Sequence, residues 1–369
     1  MIKNIIKNLS NLPGWRTNRK IVVIESDDWG SIRMPNKETF DNLKNNSFSK
    51  EFSLYDKLDS LECRKDFQAL LDVGSSYKDF KNKPLVFTLN TVMQNPDFKK
   101  IRDSEFNMFY GKPFLQSYQD YYGENLEDLW SKGIKENIIR PQFHAREHLN
   151  AYLWMTDLKN GNKDVLDAFD RGYFGLRTKT SSKLRKHYLA TYFSESQEEF
   201  NAVSLATIQG LDMFKEVFGY DSKTFIASNY FWPKELENIL LDKGVLGIQS
   251  QRGNNNTDYK KGSISIKRFK IGQKNELGQT YIVRNVLFEP YSDPNKDWIK
   301  SGIEDIDNAF FWKKPAVICM HRINFASTMD VKNRDRNLKL LNKFVSEIVR
   351  RYPEVEFMSS DELVEEIRL

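Results

Sequence analysis

The sequence predicts an α/β fold built on a largely parallel sheet or barrel. Short apolar runs rich in β-branched residues alternate along the chain with stretches whose apolar residues repeat at helical spacing. Three of these runs end directly in ionisable side chains, which is typical of the sheet edge that carries the functional site of an α/β fold. The 369 residues contain no internal repeat and no linker rich in Pro, Gly or Ser, so one domain over 1–369 is predicted.

The predicted strands are separated by helices and by long connections. Three segments, about 31–83, 91–137 and 150–223, are predicted as long helical insertions of the kind that often carries substrate-binding loops. Helices are predicted within 58–71, 126–132, 149–158, 200–214, 234–243 and 336–350, and from 359 onward. Strands are predicted at 21–24, 84–90, 138–143, 224–228, 245–248, 281–288, 315–320 and 355–358.

Charge and cysteine content exclude several classes of protein. The net charge is only +5, and Lys and Arg are interleaved with Asp and Glu, which argues against a nucleic-acid-binding surface. The densest basic run, Arg177–His187, is interpreted as a solvated surface segment that could also steer an anionic glycan, with His187 at the surface. Cys63 and Cys319 form no disulfide framework, and Cys319 is interpreted as a buried small hydrophobe.

The N-terminal stretch Met1–Leu12 and the overall hydropathy bear on the compartment. The apolar residues of this stretch lack the continuous core of a signal peptide. No part of the chain approaches the ~20 consecutive apolar residues that span a membrane. The sequence therefore predicts a cytoplasmic protein with no membrane insertion.

Two adjacent carboxylates, Asp27 and Asp28, follow the first predicted strand, and Gly30 permits a sharp turn just after them. Like charges side by side repel each other, so a bound cation or a shared proton is the usual reason for such a pair. The alternative is that one carboxylate caps a turn while the other is solvated.

Three of the four histidines give a second signal. His144 and His148 are four residues apart at a predicted helix start, so both imidazoles would lie on one face and could reach one ion. Two histidines and one carboxylate leave open positions on a metal for water and substrate. His321 ends another apolar run, where the alternative is a histidine that is merely hydrogen-bonded at a strand end.

These motifs resemble the polysaccharide deacetylases of carbohydrate esterase family four, the NodB-homology domain. That family has an Asp-Asp motif after its first strand, a His-[Ser/Thr]-x-x-His motif and a late Leu-x-His motif. The counterparts, in the same order, are Ser26–Gly30, His144–His148 and Ile318–His321, and Val355–Leu363 is similar to the family's closing strand and helix. The resemblance implies a deformed, seven-stranded (β/α) barrel.

The resemblance also implies a role for each motif. Asp28, His144 and His148 would bind a divalent metal, with Zn²⁺ as the first candidate and Co²⁺ or Ni²⁺ as alternatives. Asp27 would be the general base and His321 the general acid. The implied reaction removes an acetyl group from an N- or O-acetylated sugar or glycan.

The sequence departs from the family pattern at the second and third motifs. Ala145 replaces the Ser or Thr after the first histidine. No arginine is present in the segment 228–233, where the family's Arg-containing motif would fall. The candidates to orient Asp27 in its place are Asn229, Arg146 and Arg284.

The fourth motif of the family, an Asp-x-x-Asp-Trp pattern, is only approximated. Asp293, Asp297 and Trp298 match it with one residue too many, and in the family such an acid and Trp orient the acid histidine and wall the acetyl pocket. Glu289 is a competing candidate for the orienting acid.

Two further tryptophans and one asparagine lie at predicted strand ends. Trp29 and Trp232 could present aromatic faces to a sugar, although simple packing is the alternative for each. Asn90 ends the second predicted strand and could line the pocket.

Two other functions compete with the deacetylase hypothesis. A glycosidase on a similar barrel could use Asp27 and Glu289 as its carboxylate pair, which leaves the His144/His148 pair unexplained. A non-catalytic carbohydrate-binding relative could retain the metal for structure, and the missing arginine motif favours this alternative.

Overall fold

The structure is a computed structural model that describes residues 11–369, so most of Met1–Leu12, with its expected lack of an export signal, lies outside the described residues. The strands are β1 (Lys20–Trp29), β2 (Phe87–Val92), β3 (Gln94–Pro96), β4 (Gly111–Pro113), β5 (Ile139–Ala145), β6 (Thr224–Ile226), β7 (Phe231–Trp232), β8 (Gly247–Ser250), β9 (Gly253–Asp258), β10 (Ser263–Arg268), β11 (Thr280–Val283), β12 (Val286–Leu287), β13 (Ala316–His321) and β14 (Val355–Met358). The α-helices are α1 (Lys37–Leu43), α2 (Leu54–Leu58), α3 (Arg64–Ser75), α4 (Phe98–Asp103), α5 (Phe114–Tyr122), α6 (Glu127–Lys135), α7 (Ala151–Lys159), α8 (Lys163–Phe169), α9 (Gln197–Phe218), α10 (Leu236–Asp242), α11 (Trp298–Phe311), α12 (Val331–Arg351) and α13 (Ser360–Arg368).

Nine of these strands form one parallel sheet. Their order is β11-β8-β6-β5-β2-β1-β13-β12, and β14 pairs with the first half of β1, whose second half pairs with β2. Each pairing in this sheet is parallel. Helices of the intervening segments separate the strands along the chain, as parallel pairing requires. The predicted α/β fold is confirmed.

The sheet curls until its two edge strands come close together. β11 ends at Val283 and β12 begins at Val286, so only Arg284 and Asn285 connect the opposite ends of the strand order. Because one residue spans at most about 3.6 Å, the two edges lie within roughly 11 Å of each other there. The predicted strand 281–288 is thus split in two, and with β14 this gives nine strands where the predicted barrel has seven.

β1 is buried on both of its faces, as its continuous apolar run predicts. Ile21 and Val23 pack in a core that includes Val364 of α13. Val22 and Ile24 belong to the larger core, which the other helices share. Because side chains alternate along a strand, these two sets point to opposite faces of the sheet. β1 therefore packs in two different cores, one on each face.

The long insertions carry helices and two small sheets. Segment 31–83 contains α1 to α3, segment 91–137 contains α4 to α6 and the β3–β4 hairpin, and segment 150–223 contains α7 to α9. β7, β9 and β10 form the second small sheet. Across residues 11–369, none of the helices is both long and apolar enough to cross a membrane.

Candidate metal centre

Ionisable side chains from three strands meet at the carboxyl edge of the parallel sheet. Asp27 and Asp28 lie near the end of β1, His144 near the end of β5, and His321 at the end of β13. His148 follows β5 in the connection to α7, so the His144/His148 pair spans a strand end and a loop and does not lie on one helix face as predicted. All five line one cavity of about 350 Å³, a volume at the lower end of the range of small-molecule sites.

A β-bulge turns Asp28 into this cavity. The register of β1 against β2 shifts between Ser26 and Trp29, and Asp28 has a φ of 76°, in the left-handed region that few non-glycine residues adopt. Neighbouring side chains of a regular strand point to opposite faces. Here the bulge lets Asp27 and Asp28 face the same cavity, a recurrent use of bulges beside functional sites.

Asp28, His144 and His148 form a compact set of metal donors. Nε2 of His144 lies 3.3 Å from Asp28 Oδ1, and Nε2 of His148 lies 3.2 Å from the same oxygen. One donor atom from each residue lies within 4.8 Å of the others, and all three residues are buried. Zinc–ligand bonds of about 2.1 Å in a tetrahedral site would place the donor atoms about 3.4 Å apart. The two measured separations therefore suit one small divalent ion.

The hydrogen bond of His144 gives an independent test of this fit. His144 Nδ1 lies 3.0 Å from the carbonyl oxygen of Ile226, so the Nδ1–H donates to this oxygen. In the neutral imidazole, Nε2 then carries only a lone pair, and it faces the Asp28 carboxylate. Two lone pairs at 3.3 Å repel each other, whereas a cation between them attracts both. A hydrogen bond of this kind also fixes metal-binding histidines.

The charges around Asp28 favour its ionised form. Burial alone would raise the pKa of Asp28, but the charge that His148 carries when it is protonated in acid, together with Arg33, holds it well below its usual range. Burial and then Arg33 lower the pKa of His148 to about 4, so this imidazole is neutral near pH 7. Its Nδ1 is buried and has no hydrogen-bond partner within residues 11–369. A carboxylate and neutral imidazoles are the protonation states that a divalent metal requires.

Arg284 supplies the basic partner of Asp27 that the segment 228–233 lacks. Its Nη1 and Nη2 donate to the two carboxylate oxygens of Asp27 at 2.7 and 2.6 Å, and its Nε donates to Glu25 at 2.6 Å. Burial would raise the pKa of Asp27, but Arg284 lowers it to about 2. Asp27 is therefore an anion across the physiological pH range.

Asn90 contacts Asp27 from beneath the cavity and does not line it, which corrects the expectation for this residue. Its amide nitrogen donates to Asp27 Oδ1 at 2.7 Å, and Gln249 donates to Asn90 Oδ1 at 3.0 Å. Arg284 and Asn90 thus use three of the roughly four acceptor positions of the Asp27 carboxylate. Oδ2 keeps one position and lies 3.5 Å from Nε2 of His321.

Glu289 is the acid that orients His321. Its Oε1 lies 2.5 Å from His321 Nδ1, and its Oε2 accepts from the amide nitrogen of Asn324 at 2.8 Å. Burial would lower the pKa of His321, but Glu289 and Asp27 raise it to about 9. His321 is therefore protonated at neutral pH, with Nε2 toward Asp27 in the cavity.

Cys319 lies beside this pair without being a good metal donor. Its Sγ is 3.9 Å from Glu289 Oε1 and 3.3 Å from the cationic Nη1 of Arg284. Burial raises the pKa of Cys319 to about 12, so the thiol keeps its proton. The expectation of a buried, small hydrophobic residue describes it best.

Trp29 and Trp232 pack in the core and do not line the cavity. The indole nitrogen of Trp29 donates to Ser26 Oγ at 2.9 Å, and its ring meets Phe67 edge-on. Trp232 donates to Glu237 at 3.1 Å and stacks on Phe269. Both are nearly inaccessible to solvent, so simple packing, the alternative given for them, accounts for both.

The approximate fourth motif caps a helix and does not orient His321. The side chain of Asp297 accepts from Lys300 N at the start of α11. Trp298 is buried and donates its indole N–H to the carbonyl oxygen of Asp293 at 2.8 Å. None of Asp293, Asp297 and Trp298 lines the cavity, and the segment instead forms the N-terminus of α11.

Of the other candidates for orienting Asp27, neither contacts it. Arg146 donates to Glu147 at 2.6 and 2.8 Å and lines a neighbouring groove. Asn229 lines the metal cavity from a strained backbone position with a φ of 53°. Arg284 therefore holds Asp27 alone among the three candidates.

Sequence reasoning missed several residues of the cavity wall, among them Arg33, Tyr55 and Arg177, and misplaced His187. Arg33 and Tyr55 come from the first insertion and carry no motif that marks them. Arg177 and His187 belong to the basic run, whose backbone doubles back so that the two residues pair. His187 is half-buried and lines the cavity, which corrects the expectation that it lies on the surface.

Comparison with known proteins gives structural likeness only. No family model matches the chain, and no curated protein matches it. Solved structures that resemble it include a Mycobacterium smegmatis protein provisionally assigned as a polysaccharide deacetylase, at 8% identity, 96% coverage of this chain and 93% of that one, and a TM-score of 0.44. PuuE allantoinase has 9% identity, coverages of 95% and 91%, and a TM-score of 0.47. The α-amylase AmyC of Thermotoga maritima has 8% identity, coverages of 95% and 75%, and a TM-score of 0.44.

Proposed function

We propose that this protein is a metal-dependent hydrolase that removes acetyl groups from an N- or O-acetylated sugar or glycan. The observation that carries the proposal is the combination in one cavity of a three-donor metal set with a separate anionic base and a separate cationic acid. The donors are Asp28, His144 and His148; the base is Asp27 and the acid is His321. In metal-assisted hydrolysis of an acyl bond, the ion activates water, the base accepts a proton from it and the acid protonates the leaving group.

The chain's own residues divide the proton transfers between them. A divalent ion bound by the donor set would supply Lewis-acid polarisation of the acyl carbonyl and activation of water. Asp27, held ionised by Arg284, accepts a proton from the attacking water at the free position of its carboxylate. His321, held protonated by Glu289, donates its Nε2 proton to the departing amine or alkoxide.

Arg284 bears on the competing hypotheses. The non-catalytic alternative drew its support from the missing arginine motif, and Arg284 makes the contact that such an arginine would make. Both oxygens of Glu289 are engaged by His321 and Asn324, and Glu289 does not line the cavity. This favours Glu289 as a partner of His321 over a carboxylate that acts on a glycosidic bond.

Metal content tests the proposal most directly. We expect about one divalent ion per chain after incubation with Zn²⁺, Co²⁺ or Ni²⁺ and gel filtration, and its loss in His144→Ala/His148→Ala, because two of three donors are removed. Elemental analysis measures the metal, and acetate release from a panel of acetylated sugars measures the activity. The control is His187→Ala, which removes a histidine of the same cavity that is not in the donor set.

Two outcomes would refute this function. A wild-type protein that retains no metal under these conditions lacks the proposed centre. A double variant that keeps the metal and the acetate release of wild type would place both elsewhere in the chain.

The pH dependence should have an alkaline limit set by His321. Because its pKa is raised to about 9, the proton needed for donation is present below that pH and is lost above it. In Glu289→Gln the main charge that raises this pKa is removed, so the alkaline limit should move down toward the ordinary histidine value of about 6.5. Profiles of kcat/KM between pH 5 and 10 measure the shift, and an unchanged alkaline limit in Glu289→Gln would contradict the assignment of His321 as the acid.

A further inference from the structure

Arg33 is a buried cation whose charge the protein leaves only weakly paired. Arg33 is only 8% exposed to solvent, and it lines the metal cavity. Its closest carboxylate contacts are 3.6 Å to Asp28 and 3.4 Å to Asp59, both longer than charge-assisted hydrogen bonds. Its Nε has no hydrogen-bond partner among residues 11–369. A buried guanidinium normally has its donors satisfied, so this arginine is prepared for a partner that comes from outside.

The two carboxylates near Arg33 are already engaged by other groups. Both oxygens of Asp59 accept from the guanidinium of Arg322 at 3.1 to 3.3 Å. Asp28 belongs to the metal donor set. A metal bound there would take most of the negative charge of Asp28, which leaves Arg33 with less compensation than before.

A second unpaired cation lines the same cavity. Arg177 is exposed and makes no ion pair or side-chain hydrogen bond within the described part of the chain. Beside it, His187 is half-buried and faces the guanidinium of Arg185. Burial and these arginines lower the pKa of His187 to about 3, so His187 is a neutral polar wall. The basic run Arg177–His187 contains no Asp or Glu, so it adds no carboxylate to the cavity wall.

Tyr55 places Arg33 close to the proposed acid. The Arg33 guanidinium lies 5.5 Å from the centre of the Tyr55 ring, which is within the range of a cation–π contact. The same ring lies 5.9 Å from the His321 ring, edge to face. Arg33 and His321 therefore contact the same aromatic ring, which places the proposed anion subsite next to the proposed acid.

We propose that the substrate carries a negatively charged oxyanion, bound by Arg33 with Arg177 at the rim of the cavity. The shared chemistry is that of a carboxylate on an acidic sugar or a phosphoryl group on a sugar phosphate, since a guanidinium pairs with both. This inference rests on the proposed function for the acetyl group, but the anion subsite is formed by residues other than the metal donors, the base and the acid.

Binding of two matched pairs of probes tests the subsite. The first pair is N-acetylneuraminic acid and its methyl ester; the second is N-acetylglucosamine 6-phosphate and N-acetylglucosamine. Isothermal titration calorimetry on the zinc-loaded protein measures each affinity. We expect the charged member of at least one pair to bind about ten- to a hundredfold more tightly, the effect of one charge-assisted hydrogen-bonded pair. Which pair shows the preference distinguishes the carboxylate from the phosphoryl source.

Variants separate the arginines from the metal as the source of this preference. Arg33→Gln and Arg177→Gln should each reduce the preference, Arg33→Gln nearly to unity, while Arg350→Gln, a surface arginine on α12 paired with Glu347, should leave it unchanged. A bound metal can itself attract an oxyanion, so the same titrations are repeated on His144→Ala/His148→Ala. The preference should persist there, since the arginines remain.

Three results would overturn the anion subsite. They are equal affinities within both pairs for wild type, a preference that survives in the Arg33→Gln/Arg177→Gln double variant, and a preference that vanishes with the metal donors. If Arg33→Gln melts well below wild type, Arg177→Gln carries the test, because Arg177 is exposed and unpaired. Acetate release from neutral sugars without any preference for charged ones would leave the proposed function standing and remove this inference alone.

Discussion

Asp27→Asn is expected to lower kcat for acetate release by about 10² to 10⁴-fold, the usual contribution of a general base. The amide has the size of the carboxylate but cannot accept the proton of the attacking water. Asp28, His144 and His148 are untouched, so the metal content should stay near that of wild type. The substitution therefore separates base catalysis from metal binding, which removal of a metal ligand cannot do. Initial rates on the acetylated sugar that wild type hydrolyses fastest, with elemental analysis of the same samples, measure both effects.

A matched control is available in the same cavity. Asp56 lines it, but the Asp56 carboxylate is engaged by the hydroxyl of Tyr173 at 2.6 Å and by the start of α2. Asp56→Asn makes the same chemical change without touching the proposed base, so its kcat should remain within a few-fold of wild type. An Asp27→Asn protein with wild-type turnover would show that another group takes the proton.

The parallel sheet and its chemical edge could be predicted because they depend on local patterns. Apolar runs such as Ile21–Ile24 predict strands that are buried on both faces of a parallel sheet. The ionisable residues that end these strands then lie together at the carboxyl edge of that sheet. The helices at 126–132, 149–158 and 200–214 also correspond to helices of the structure, α6, α7 and α9, because apolar spacing and capping determine them. What the sequence could not show is which side chains cross the curled sheet to meet.

Arg284 illustrates that limit. It lies 257 positions from Asp27 in the chain and outside every motif, at the point where the edge strands meet. Its contact with Asp27 follows from the closure of the sheet, which no local pattern encodes. Conversely, Asp297 and Trp298 approximate a motif in sequence, but in the structure they form the start of a helix, α11. The spacing of residues along a loop predicts the positions of their side chains less well than placement at a strand end does. A loop has no fixed rise per residue, whereas a strand does.

Arg284→Met is expected to lower the free energy of unfolding by about 3–5 kcal/mol, since it leaves two buried carboxylates without their cation. Arg284 pairs with both Glu25 and Asp27, and all three are almost fully buried. Met keeps the volume of the side chain and removes its charge. Urea unfolding of the zinc-loaded protein measures the loss, and Arg64→Met, which removes an exposed arginine paired with Asp128, should change it little.

The loss in Arg284→Met should depend on pH in a direction that identifies its cause. In wild type the lowered pKa of Asp27, about 2, gives stability that is present above the unfolded value near 3.9 and is lost as pH falls toward 2. Without Arg284, burial is the dominant influence on Glu25 and Asp27 and raises their pKa values, so the variant takes up protons and gains stability as pH falls toward the unfolded values of about 4. Below about pH 4, wild type in turn loses the stability that Asp27 contributes. The difference between the two proteins should therefore be largest near pH 7 and shrink in acid. A difference that stays constant from pH 7 to pH 3 would mean that Arg284 stabilises the sheet by packing at its seam, and that the ionised state of Asp27 has another origin.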